Sequence, residues 1–196
     1  MLSIVVLISG SGSNLRALLK ACDNPLYPGK ILAVGADSPA TGLEHAEEFG
    51  VPGFVVSESN FASRELWAQR MLEHIQFLKP DLVVLAGFMK VLPESFVSAL
   101  SPNLINLHPS LLPLFPGAHA VRDALAAGAD KTGSTIHIVD GGVDTGPVIS
   151  QRELDIRPGE AQNDLHERIK AVEREHLVLA VRDIAEQKIK LEEIAR

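Results

Sequence analysis

"SIVVLISGSGSNLRALLKAC", residues 3–22, decides the fold. Its first seven residues are almost wholly apolar and β-branched, with no polar alternation, so they read as a strand buried on both faces. Gly10 and Gly12 end that run. Leu15, Leu18, Leu19 and Cys22 then recur at helical spacing, giving a helix with one buried face. A buried strand that enters a helix through a glycine loop is the opening of a parallel β-α-β unit. The same alternation continues outward. Strand patterns fall at 30–37, 53–57, 81–88, 103–108, 133–140 and 146–154. Helical patterns fall at 42–50, 63–79, 93–100, 119–128 and about 160–188. The expected fold is α/β: one domain with a mainly parallel twisted sheet, Rossmann-like, and helices on both faces. The last two strands, joined by a glycine-rich turn, supply an antiparallel element. In such a sheet ligands bind beyond the carboxyl ends of the strands.

The chain has 196 residues, 46% of them hydrophobic, enough to build a sizeable core. Its formal charge is −7 and no Lys/Arg cluster occurs, which argues against a nucleic-acid surface. An anionic ligand must therefore meet local donors rather than a general positive field. The single cysteine, Cys22, cannot form an internal disulfide, and its place on the buried helix face reads as core filling. The N-terminal apolar run is short and lacks a basic flank, so it reads as neither a signal peptide nor a membrane span. A cytoplasmic setting is expected.

"ISGSGSNL", residues 8–15, resembles several nucleotide loops and completes none. A dinucleotide fingerprint needs a third glycine where Leu15 stands, and a P-loop needs a lysine that does not follow Gly12. No Gly-x-Ser-x-Gly nucleophile elbow is present. The loop still suits a monophosphate, because Gly12, Ser13 and Asn14 open a helix whose first N–H groups are free and Ser and Asn are good cap types. The plainer reading is a tight turn without a ligand.

"INLHPSLLP", residues 105–113, ends a strand with Asn106 and His108 on one side of an extended chain. An amide donor beside an imidazole suits an oxyanion forming on a carbonyl. The same two groups also suit ordinary backbone satisfaction at a strand end. "VDGGVDTGPVI", residues 139–149, carries Asp140, which fits a hairpin turn, and Asp144, which follows the glycines and is free to point elsewhere. A carboxylate near His108 would raise its pKa and keep it cationic. His137 faces opposite to Ile136 and Ile138, His119 starts a helix, and His176 falls on an apolar face as a satisfied core group. His45, His74 and His166 read as surface residues. No spacing suggests a metal site.

Taken in order, "VVLISGSGSNL", "DLVVLAGFMKVL", "INLHPSLLP", "FPGAHA" and "VDGGVDTGPVI" resemble the phosphoribosylglycinamide formyltransferases, a family of folate-dependent enzymes, across nearly the whole chain. The resemblance implies a single domain over 1–196, with a phosphate-binding half at about 1–100 and a folate-binding, catalytic half at about 101–196. It also implies transfer of a formyl group from 10-formyltetrahydrofolate, a cosubstrate, to the amine of phosphoribosylglycinamide in purine synthesis. No metal, nucleic acid or membrane is implied, and the protein would be a monomer or a homodimer.

By that resemblance Asn106, His108 and Asp144 are the catalytic trio: Asn106 and protonated His108 stabilise a tetrahedral oxygen, and Asp144 keeps His108 charged. Gly12, Ser13 and Asn14 bind the ribose phosphate with Lys170 and Glu173, which alone would read as a surface ion pair. Gly87, Met89 and Pro109 border the acceptor. Met89, Lys90, Val91, Leu92, Asn106, Asp140, Gly141 and Asp144 hold the folate, with Leu85, Val97, Leu104 and Val139 as apolar walls and Arg64 at its glutamate tail. The four wall residues read from the sequence alone as core. Lys90 stands where the family often has arginine, and Leu114 and Phe115 stand where lysine and tyrosine are familiar. Two other readings remain: a formyl-handling hydrolase or transferase on another amine, and a non-catalytic sugar-phosphate-binding module.

Overall fold

A computed structural model describes all 196 residues. Seven strands form one sheet: β1 (Leu2–Ile8), β2 (Gly29–Ala36), β3 (Gly53–Val55), β4 (Leu82–Leu85), β5 (Leu104–His108), β6 (Lys131–Ile138) and β7 (Val148–Asp155). Between and after them come α1 (Ser13–Cys22), α2 (Gly42–Glu48), α3 (Arg64–Leu78), α4 (Glu94–Leu100), α5 (Ala120–Ala126), α6 (Gln162–Ala185) and α7 (Leu191–Ile194), with a single 3-10 turn at Glu58–Asn60. The spatial order is β3-β2-β1-β4-β5-β6-β7. β1 to β5 pair in parallel, while β6 runs antiparallel to both β5 and β7. The order reverses beside β1, between β2 and β4, so a crevice opens at the carboxyl ends of β1 and β4.

Alternation along β1 explains the two-sided core. Ile4, Val6 and Ile8 face Leu15, Leu18, Leu177 and Val181 of α1 and α6. Val5 and Leu7 face Trp67, Met71, Ile75 and Phe96 of α3 and α4. Cys22 is half-buried against the first of these clusters, and burial raises its thiol to about 11, in keeping with an inert filler. His176 is buried between Ser134 and Ser150, whose hydroxyls lie 2.9 Å from Nδ1 and 2.7 Å from Nε2.

Two strands and one helix depart most clearly from the pattern reading. The fourth strand stops at Leu85 because the chain turns at Gly87, whose φ is +76. β3 is only three residues long, and α7 had no strong apolar period to announce it. Pairing along β5–β6 stays in register, with Asn106 opposite His137 and His108 opposite Thr135. Pairing along β6–β7 shifts between Ile136 and His137, where Ile149 is the extra residue.

Candidate active site

β5 ends in Leu104-Ile105-Asn106-Leu107-His108, and its two polar residues face one side, as the spacing requires. Across the ladder β6 presents His137. The 139–147 loop then folds back and delivers Asp144, whose φ of +55 turns its side chain inward. The Asp144 carboxylate is the hub. Its Oδ2 lies 3.3 Å from Nδ1 of His108 and accepts the Gly117 N–H at 2.8 Å. Its Oδ1 accepts an N–H of Asn106 at 3.3 Å and lies 3.5 Å from Nε2 of His137. Burial works against the charge on Asp144. The His137 contact, the Gly117 N–H and the two imidazoles outweigh it and lower the carboxyl to about 2.

Opposing effects act on His108. Burial pulls its pKa below the ordinary value, against the opposing pull of the Phe115 carbonyl and Asp144, with His137 adding to the decrease. Nε2 of His108 faces the Phe115 carbonyl at 2.9 Å and its Nδ1 faces the Asp144 carboxylate at 3.3 Å, so each ring nitrogen meets an acceptor and the protonated ring satisfies both. Asn106 is also more committed than expected. Its amide nitrogen lies 3.2 Å from Nε2 of His137, whose Nδ1 lies 2.9 Å from the Ile138 carbonyl, and donates to Asp144 Oδ1 at 3.3 Å. An incoming oxyanion competes with both for that amide.

These groups floor a cleft of about 250 Å³. Gly87, Met89 and Pro109 lie along it, as do Lys90, Val91, Leu92, Leu85, Val97, Val139 and Asp140. Leu104 does not: it is fully buried at the start of β5 and belongs to the core. Gly141 is exposed in the loop beside the lining residues Asp140 and Gly142, whereas Arg64 lies outside the lining, at the start of α3. Asp140 makes the expected turn, accepting from the Gly142 N–H and the Thr145 hydroxyl. His137 and Glu58 were not among the expected site residues. His137 lines the cleft, and Glu58 holds Lys90 at its rim through a 2.7 Å contact. A second hollow of about 370 Å³ lies away from this chemistry, at the amino end of β2 between Leu19, Phe49 and Pro52.

The glycine loop sits beside the cleft, tied to it by Ser9, whose hydroxyl accepts the Met89 N–H at 2.8 Å. The cap of α1 is Gly12 rather than Ser13 or Asn14, with φ +69 and no side-chain cap bond. A Cβ there would lie 2.9 Å from the Gly42 Cα, so a side chain is excluded by both space and conformation. Ser13 and Asn14 thus lie inside the first turn, with backbone N–H groups unpaired within the helix. The Asn14 side chain reaches Glu173 of α6 instead, donating at 3.2 Å, while its buried Oδ1 has no partner. Glu173 is only 6% exposed, and burial raises its carboxyl to about 7. Lys170 pairs with Glu167 at 2.8 Å and not with Glu173, which overturns the surface-pair reading. No group of His, Cys, Asp and Glu is arranged to hold a metal ion, and no helix is long and apolar enough to cross a membrane.

The formyl transferase family model matches residues 2–181. The phosphoribosylglycinamide formyltransferase of Mycobacterium tuberculosis (strain CDC 1551 / Oshkosh) is 45% identical over 93% of this chain and 84% of its own. The trifunctional purine biosynthetic protein adenosine-3 of Drosophila pseudoobscura pseudoobscura is 41% identical over 85% of this chain and 12% of its own. The crystal structure of glycinamide ribonucleotide transformylase 1 from Symbiobacterium toebii superposes with a TM-score of 0.92, at 39% identity, over 95% of this chain and 89% of that one.

Proposed function

The chain belongs to the formyl transferase family, whose donor is of the folate type, and on that premise we propose that its cleft moves the formyl group of 10-formyltetrahydrofolate to the amine of phosphoribosylglycinamide in purine synthesis. The observation that carries this reading is one carboxylate, Asp144, set between His108 and Asn106 on the floor of a largely apolar cleft. No serine or cysteine nucleophile is among these groups, which fits direct attack by the acceptor amine on the formyl carbon.

As the carbon–nitrogen bond forms, the carbonyl electron pair moves to oxygen. That oxygen takes the Asn106 N–H that Asp144 holds only at 3.3 Å. The attacking nitrogen must lose a proton and N10 of the folate must gain one. His108 is suited to carry it, because its cationic form is stabilised by Asp144 and the Phe115 carbonyl together. The tetrahedral carbon then collapses and expels the protonated folate nitrogen. Holding two substrates in register contributes up to about 7–11 kcal/mol of such a barrier.

The acceptor phosphate lies at the first turn of α1, on the backbone N–H groups beside Gly12, with Ser13, Asn14 and Lys170 around it. Glu173 and the Asn14 carbonyl are buried acceptors short of donors, as ribose hydroxyls would require. Gly87, Met89 and Pro109 flank the glycinamide amine. Leu85, Leu92, Val97 and Val139 pack the pterin, and the 89–92 and 140–144 backbones meet its polar edge. The substrates are small molecules, and a cytoplasmic setting goes with this reading.

The test is to incubate the protein with 10-formyltetrahydrofolate, with and without phosphoribosylglycinamide, and to follow tetrahydrofolate release. Release only with the ribonucleotide is expected. Release into water alone points to a hydrolase, and release in neither case overturns the reading.

A further inference from the structure

At the cleft rim two cations share one carboxylate. Lys90 Nζ lies 2.7 Å from Oε2 of Glu58, and Arg64 Nε lies 3.1 Å from its Oε1. Glu58 stands in the 3-10 turn just before α3 and is 27% exposed at its side chain, so solvent and ligands reach it. Behind Lys90, at 3.8 Å, is Asp37, buried at the end of β2 with its second oxygen unpartnered. Asp37 holds the lysine by charge at a distance too long for a hydrogen bond. Lys90 is the one Lys or Arg among the cleft-lining residues, and Asp140 and Asp144 line the same cleft. With Glu58 in place the rim offers an incoming anion little net positive charge.

A folate-type donor ends in glutamate, and each added glutamate brings another carboxylate. Such a tail leaving the apolar part of the cleft meets Lys90 and Arg64 with part of their charge already neutralised by Glu58. We propose that Glu58 is an internal competitor for the donor's carboxylate tail: it occupies Lys90 and Arg64 in the tail's place and sets how strongly the enzyme favours donors with more glutamates. This rests on the formyl-folate reading. The bridge is replaceable because both of its ion pairs are partly exposed, a setting in which one carboxylate exchanges for another at small cost.

The experiment measures KM for mono- and triglutamyl 10-formyltetrahydrofolate, with the acceptor saturating, in wild type, Glu58→Gln, Lys90→Met and the double variant. Glu58→Gln is expected to lower the donor KM about two- to tenfold, more for the triglutamate, with the acceptor KM unmoved. In the Lys90→Met background the same substitution gives a smaller gain, since one of the two released cations is gone. Glu73→Gln, which removes an equal charge from the exposed Arg70 pair on α3, leaves the donor KM alone. A rise in donor KM on Glu58→Gln overturns the proposal, because Glu58 would then orient the cations for the ligand. An unchanged KM, an equal fall for both tail lengths, or a fall shared by Glu73→Gln also overturns it. Wild type that transfers formyl while Glu58→Gln is silent sinks this inference alone, whereas wild type that transfers none sinks the formyl-folate reading with it.

Discussion

Glu173→Gln separates what the fold prefers from what the ligand needs. In the folded chain burial holds this carboxyl at about 7, against an ordinary 4.5, with a single side-chain donor, Asn14, at 3.2 Å. The folded state therefore keeps a proton that the unfolded chain gives up near 4.5. Stability from this group is fully present below that pH and is lost as pH rises through 7. The displacement corresponds to about 3 kcal/mol at pH 8, an upper value because local relaxation and water reduce it. Glutamine has no charge to bury, and its amide brings an N–H toward the unpartnered Oδ1 of Asn14. Glu173→Gln should thus be the more stable protein at pH 8 by about 1–3 kcal/mol, or roughly 3–10 °C in Tm, with most of the gap gone by pH 5. The same variant should bind phosphoribosylglycinamide less tightly, having lost an anionic acceptor for ribose hydroxyls. Thermal unfolding followed by circular dichroism at pH 5 and pH 8 reads the first effect, and acceptor KM reads the second. A gap that does not widen from pH 5 to pH 8, or a variant less stable than wild type at pH 8, refutes the reasoning.

Three further outcomes follow from the geometry. His108→Ala should reduce kcat by about 10²–10⁴, and wild-type kcat should change with pH through a pKa below the ordinary histidine value, since burial outweighs Asp144 and the Phe115 carbonyl. A basic limb set by a higher His108 pKa would contradict this. Gly12→Ala should destabilise the fold by about 1–3 kcal/mol through its positive φ and the Gly42 approach, and raise acceptor KM more than donor KM. Equal effects on both would remove the phosphate from this loop. Leu104→Ala should cost about 2–5 kcal/mol in chemical denaturation and leave donor KM near wild type, since this side chain fills the core.

What the sequence revealed was local, and what it hid depended on partners. The buried run of β1 and the helical spacing of Leu15, Leu18 and Leu19 mark their elements without help. Asn106 and His108 share a side because an extended chain has a period of two. Asp144 stands apart from Asp140 because the Gly-Gly pair already uses the first aspartate for a turn. His137 shows an outward orientation in its own pattern, but its place opposite Asn106 exists only in the β5–β6 register, which no single segment encodes. Leu104 and Leu85 look alike in sequence. Only the path of the 87–92 turn decides that one lines the cleft and the other does not. The His108 shift needed the depth of burial, and the Glu58 bridge joins residues 32 positions apart in the chain.

The extra residue at Ile149 has a practical consequence. β6 must obey two neighbours, and it keeps strict step with β5 while the mismatch is passed outward to β7. The outermost strand thus acts as slack for the inner pair. Length changes near Ile149 can be absorbed at the margin of the sheet, leaving the imidazole of β6 in front of its amide. A single residue inserted between Thr135 and His137 would rotate that imidazole to the opposite face and put an isoleucine among the catalytic groups. Loop grafts and tags belong on the β7 side, and evolutionary drift in chain length should collect there too.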